Sequence, residues 1–274
     1  MAGNGSRGPR MNATQWSEFQ KDPVAYLGTR TVRIPDDKVG NKKESAAGKL
    51  VVESEEMATL QYAARHNVRD LYLRDLGDGG LDVAFQAPPA PTGFFSFLQS
   101  TPVSKKVSAY FLPWSTGKAY HLTLHATSGV EFFATAPLNG CCLYVNGLER
   151  KPLVAHANYD SPRLTVAFDA SKTVEEQFAA TAVHQMKVYT KFYGKLEGVM
   201  SSFLPGWKKA EPTSQFGPAQ YLHVSSQARV FGFNRGGDWT LYYNLERVTR
   251  EGGRVTARTG ITTELWPHFQ GIEV

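Results

Sequence analysis

Two cysteines in 274 residues, and those two adjacent, set the first boundary on this chain. Cys141 and Cys142 are backbone neighbours, where a disulfide would be strained, so the fold is not a disulfide framework. A structural zinc site built on four cysteines, or on three cysteines and a histidine, is excluded by count. No apolar run approaches the roughly 18 to 20 residues that cross a bilayer, so no membrane partner is expected. The first 25 residues lack the hydrophobic segment of a Sec signal peptide. There is no G-X-Y period, heptad block, low-complexity tract or internal repeat. Walker A, GxGxxG, GxSxG and HExxH motifs are also missing, so neither a cofactor nor a bound metal is expected.

What is present is a chain long enough to bury a sizeable core, 42% apolar and 20% charged. The formal net charge of +5 is unevenly placed. Residues 1–50 hold nine Lys/Arg against five Asp/Glu, or +4, which leaves +1 for the remainder. The body is near neutral and no nucleic-acid motif follows the basic segment, so no nucleic-acid partner is expected. Residues 1–12 have no periodicity and read as a disordered basic tail. Residues 13–274 then form a single α+β catalytic domain, in which 13–90 is the candidate for a small N-terminal helical subregion.

Hydrophobic spacing predicts a short helix over Ala13–Tyr26, capped by Thr14 or Ser17, and a second over Ser54–Arg69. Residues 35–49 read as a polar loop and Gln86–Gly93 as a linker. From Val103 the period changes to two. Strands are expected at Val107–Leu112, Ala119–Ala126, Val130–Ala134, Cys141–Val145, Pro152–His156 and Leu164–Phe168. Thr173–Tyr189 is the clearest helix, with Ser171 or Thr173 as its cap and Glu175-Glu176 in its first turn. Three further strands follow at Arg229–Asn234, Trp239–Val248 and Arg254–Thr262, separated by glycine pairs as in a meander. His121 and His125 read as a polar strand face and His184 as a helix-surface residue.

The chemistry concentrates in Thr135–Asp160, TAPLNGCCLYVNGLERKPLVAHANYD. If the two strands there pair with Cys141 opposite His156, Leu143 faces Val154 and Val145 faces Pro152, which puts thiol and imidazole on one face. Only the thiolate is a good nucleophile, and a histidine in contact can take the thiol proton and later protonate a leaving amine. Gly140 leaves room for a substrate carbonyl, and the Cys141 N–H is a candidate oxyanion donor. Thr135, just before Ala136-Pro137, is the candidate to orient the imidazole, with Asn158 and Asp160 next in line. Cys142 should point to the opposite face of the strand.

Leu138-Asn139-Gly140-Cys141, with His156 fifteen residues later, resembles the L-x-G-C motif and downstream histidine of the cytotoxic necrotizing factor and Burkholderia lethal factor-like glutamine deamidases. By position, Cys141 matches the nucleophile, His156 the base and Thr135 the orienting residue, across about 26 residues of the chain. Asn139 stands where the motif often has serine. The resemblance implies a mixed or antiparallel β-sandwich flanked by helices. It also implies a monomeric, virulence-associated toxin or effector, secreted without a Sec signal and acting in host cytoplasm. Its substrate would be a host protein of the small GTPase or translation-factor class. Transglutamination shares the same acyl-enzyme. Two other readings stay open: a cysteine peptidase or amidase, with His223 as base, and a non-enzymatic β-rich binding module.

Overall fold

The computed structural model describes residues 11–36, 68–76, 80–87, 104–117, 119–126, 129–159, 164–204, 206–251 and 254–268. The polar and apolar spacing of the first of these resolves into two helices, α1 (Ala13–Lys21) and α2 (Pro23–Leu27). The cap of α1 is Asn12, two residues before the expected Thr14: its Oδ1 accepts from the Gln15 N–H and its own N–H donates to Gln15 Oε1. Pro23 has no N–H to continue α1, and Asp22 caps α2 by accepting from the Ala25 N–H. Met11 is buried in the core, so the last two residues of the expected tail belong to the folded body. Residues 1–10 lie outside the described residues.

Twelve strands among the described residues form two sheets. The larger contains β1 (Val32–Arg33), β2 (Val68–Asp75), β3 (Leu81–Ala84), β4 (Lys105–Leu112), β6 (Phe132–Thr135), β10 (Ala228–Arg235), β11 (Asp238–Glu251) and β12 (Arg254–Trp266). Its strand order is β1-β3-β2-β4-β6-β10-β11-β12, antiparallel except at β1/β3 and β4/β6. The smaller contains β5 (Ala119–Thr123), β7 (Cys141–Asn146), β8 (Leu153–Asn158) and β9 (Thr213–Phe216), in the antiparallel order β5-β8-β7-β9. A long helix, α3 (Val174–Phe203), and a short one, α4 (Pro218–Tyr221), complete the set. The capping box of α3 joins Thr173 to Glu176, and the helix runs 14 residues past its expected end at Tyr189.

Alternation along the strands builds four layers. Tyr110, Leu112, Phe133, Val230 and Tyr243 of the larger sheet meet Tyr120, Leu143, Val145, Val154 and Phe216 of the smaller, with Phe216 stacked on Tyr243 at 4.6 Å. On the far side of the larger sheet, Trp16 and Phe19 of α1 pack on Phe132, Phe231 and Phe233. On the far side of the smaller sheet, Tyr193, Leu196 and Met200 of α3 cover Cys142, Tyr144 and Ala155. The chain is thus an α+β fold with a mixed-sheet sandwich between helices.

Several expectations need correcting. Residues 68–75 and 81–84, placed within a helical N-terminal subregion, are strands of the larger sheet; the expected Ser54–Arg69 helix otherwise lies outside the described residues. The loop over 35–49 and the linker over 86–93 lie outside them from residues 37 and 88 onward. Leu164–Phe168 is not a strand. Its carbonyls at Leu164 and Ala167 accept instead from Gln185 and Gln177 of α3, which occupy the groups a sheet would have paired. Among the described residues, no helix is long and apolar enough to cross a membrane.

Candidate active site

Gly140 sets the geometry ahead of β7. Its φ of +73° is one that side chains resist, and a Cβ there would run into the Tyr189 hydroxyl. The space above Gly140 is therefore filled by Tyr189 of α3 and is not an opening for a substrate carbonyl. Two more tyrosines clamp the same backbone. Tyr193 Oη donates to the Gly140 carbonyl at 2.7 Å, and Tyr221 Oη donates to the Cys141 carbonyl at 3.0 Å. Leu138 is fully buried and pairs through both backbone groups with Ala228 at the edge of β10. The Leu138–Cys141 motif thus crosses from the larger sheet to the smaller.

The pairing of β7 with β8 differs from the expected register by two residues. Cys141 lies opposite Asn158, Leu143 opposite His156 and Val145 opposite Val154. Pro152 has no N–H to contribute to the ladder, and pairing begins at Leu153. A shift of two keeps every side chain on its face. Cys141 and His156 therefore share the face that looks into the sandwich, as diagonal rather than direct neighbours. Diagonal partners are about 7–8 Å apart, against about 5 Å for direct ones. No hydrogen bond joins the two side chains among the described residues. The Cys141 thiol instead faces the Asn139 carbonyl at 3.8 Å and accepts from Asn158 Nδ2 at 3.2 Å.

Thr135 reaches the same point from the other sheet. It ends β6, and its Oγ1 lies 2.8 Å from His156 Nδ1 and 2.9 Å from the Leu112 carbonyl. A hydroxyl has one proton. The Leu112 carbonyl can only accept, so that proton goes there, and Thr135 accepts from a protonated Nδ1. The neutral imidazole is thereby held with Nε2 unprotonated, the form a general base requires. Nε2 is buried and has no hydrogen-bond partner among the described residues.

Burial dominates the electrostatics. It pushes the Cys141 thiol up to about 11, against the pull of the hydrogen bonds from Asn158 and near Asn139. It pushes His156 down to about 3. At neutral pH the closed site therefore holds an uncharged thiol and an uncharged imidazole. Cys141 is 2% exposed and His156 fully buried.

The remaining candidates lie elsewhere. Cys142 points away from the site, into the cluster under α3, where burial raises its thiol further. His121 is not on a polar face: it is buried, with both ring nitrogens unpartnered among the described residues, and burial lowers its pKa. His125 lies beyond the end of β5, and His184 and His223 are exposed. Asp160 lies outside the described residues. Among the described residues, no group of three or more His, Cys, Asp or Glu side chains could hold a metal ion.

Asn158 is the contact that the sequence reading missed, having considered it only as a partner for the imidazole. The available signal was its spacing, two residues beyond His156, which puts it on the same face of a strand. A search of protein-family models and of curated proteins finds no match to this chain.

Proposed function

We propose that this protein is a cysteine-dependent glutamine deamidase acting on a protein substrate. The observation that carries the reading is the Thr135–His156 hydrogen bond. It fixes the imidazole tautomer from across the sandwich and leaves a free basic nitrogen on the face that holds Cys141. A buried ring nitrogen without a partner costs about 1–3 kcal/mol, and here that nitrogen lies on the face that also holds a thiol.

The reaction runs in two halves. As the Cys141 sulfur bonds to the glutamine carboxamide carbon, His156 Nε2 takes the thiol proton and the carbonyl π pair moves onto oxygen. Collapse of that adduct breaks the C–N bond, and His156 delivers its proton to the departing nitrogen, which leaves as ammonia. Water then attacks the thioester, His156 takes its proton and returns it to sulfur, and glutamate is released. An amine in place of water gives transglutamination. Both reacting groups are closed over, so substrate reaches them only when the segments around Gly140 move, a gating step of the kind common in enzymes.

The toxin and effector setting rests on the Leu138–Cys141 motif and its spacing to His156. It comprises a host-cytoplasmic protein substrate of the GTPase or translation-factor class and action as a monomer. The test is incubation of the purified protein with host-cell lysate, followed by peptide mass analysis for conversion of glutamine amides to acids. Conversion should vanish in Cys141→Ser and largely persist in Cys142→Ser. No conversion by the unmodified protein, or conversion that survives in Cys141→Ser, overturns the reading.

A further inference from the structure

Asn158 touches the reacting atom, and its two ends have different tasks. The carbonyl end, Oδ1, accepts from the Gly117 backbone N–H at 3.0 Å, which fixes the orientation of the amide. The amide end, Nδ2, donates to Cys141 Sγ at 3.2 Å. The residue is 8% exposed, and its cross-strand partner is Cys141 itself. A clasp between β8 and the loop before β5 would need only the Gly117 bond. It would leave Nδ2 free to seek a carbonyl, the strong acceptor that a buried amide ordinarily finds. Here the donor is spent on the sulfur of a neutral thiol, which is a weak acceptor.

We propose that Asn158 is a third catalytic residue beside Cys141 and His156, whose side-chain amide stabilises the Cys141 thiolate as His156 removes its proton. This deepens the deamidase reading and rests on it for the chemical step. The hydrogen bond is weak while sulfur is a thiol and strong once sulfur is an anion, because charged acceptors strengthen such bonds about twofold. It therefore favours the charged state over the resting one, which is the condition for an interaction to speed a reaction. It also opposes the effect of burial, which holds the thiol protonated. After the S–C bond forms, negative charge passes to the substrate oxygen on the adjacent carbon. Asn158 is then a fixed side-chain donor beside that oxygen, in the manner of an oxyanion-hole amide.

The experiment reads the thiol directly. The rate of Cys141 alkylation by iodoacetamide is followed by intact mass against pH, in a Cys142→Ala background so that only one sulfur reports. Asn158→Ala removes the donor and should slow alkylation by roughly 10- to 100-fold at a fixed neutral pH, moving the profile to higher pH. Asn158→Asp keeps the shape and the acceptor for Gly117 but turns an oxygen towards sulfur, and should move the profile further in the same direction. This second variant serves if Asn158→Ala does not fold, as judged by circular dichroism. An unchanged profile in either folded variant overturns the proposal and leaves Asn158 as a clasp for Gly117. Alkylation needs no substrate, so absent glutamine conversion with a shifted profile would defeat the deamidase reading while leaving the Asn158–thiolate interaction standing.

Discussion

Thr135→Val is the sharpest single perturbation of the site. Valine matches threonine in shape, so what is removed is one hydroxyl and its two hydrogen bonds. The Leu112 carbonyl loses little, because it still accepts from the Ala136 N–H at 3.0 Å. His156 Nδ1 loses its one partner among the described residues. A buried donor left unsatisfied costs about 1–3 kcal/mol, and that is the expected fall in folding stability by urea titration. The chemical consequence is of similar size but acts on the barrier, since each tenfold in rate is about 1.4 kcal/mol. Without Thr135 the proton is free to sit on Nε2, which disables the base. Deamidation should fall by roughly 10- to 100-fold, less than in a variant lacking His156 altogether. Nitrogen NMR of the labelled imidazole should show the Nδ1-protonated tautomer in the unmodified protein and its loss in Thr135→Val. Full activity in the valine variant, or an Nε2-protonated ring in the unmodified protein, would falsify the tautomer argument.

Two further outcomes follow from burial. His156 titrates near 3 in the folded chain and near 6.5 when unfolded. The unfolded state therefore binds the extra proton, so stability is complete above about pH 6.5 and declines as pH falls towards 3. The His156 contribution has a slope of at most about 1.4 kcal/mol per pH unit, and should appear as the difference in urea stability between the unmodified protein and His156→Leu across that range. A common pH dependence in the two would show that the imidazole is not buried neutral. At the N-terminus, deletion of residues 1–10 should leave the thermal midpoint unchanged. Deletion of residues 1–12 also removes the buried Met11 and the Asn12 cap, and should cost about 3 kcal/mol or more, read by urea unfolding. Equal stability of the two truncations would show that Met11 and Asn12 contribute nothing.

How much of the site could be read from the sequence depends on which interactions are local. The common face of Cys141 and His156 was legible because strand periodicity survives a two-residue error in register; an error of one would have turned every side chain over. The register itself was not legible. It depends on where the ladder begins after Pro152, and on β5 and β9 pairing at the two outer edges. The larger sheet shows the same division. Trp239–Val248 and Arg254–Thr262 alternate clearly and were found, whereas Val68–Asp75 and Leu81–Ala84 were absorbed into a helical reading that began in the preceding segment.

Thr135 was chosen because Pro137 breaks the chain after it, and that reason differs from the one the structure supplies. Thr135 is still within β6, and it meets His156 because two different sheets pack face to face. No local pattern encodes that contact. The same packing explains why proximity alone does not make a reactive thiol here. Closing the sandwich removes water from Cys141 and His156 together, which disfavours both the thiolate and the imidazolium. An ion pair at rest is thus the state that the core opposes. The groups that compensate are placed beforehand: Thr135 sets the imidazole proton, Asn158 aims a donor at the sulfur, and the tyrosines of α3 and α4 hold the backbone at Gly140 and Cys141. On the proposed deamidase reading, activation belongs to the moment when substrate enters and the proton moves, not to the resting protein. Fast alkylation of Cys141 below neutral pH, the usual mark of an activated cysteine, is accordingly not expected of the closed form.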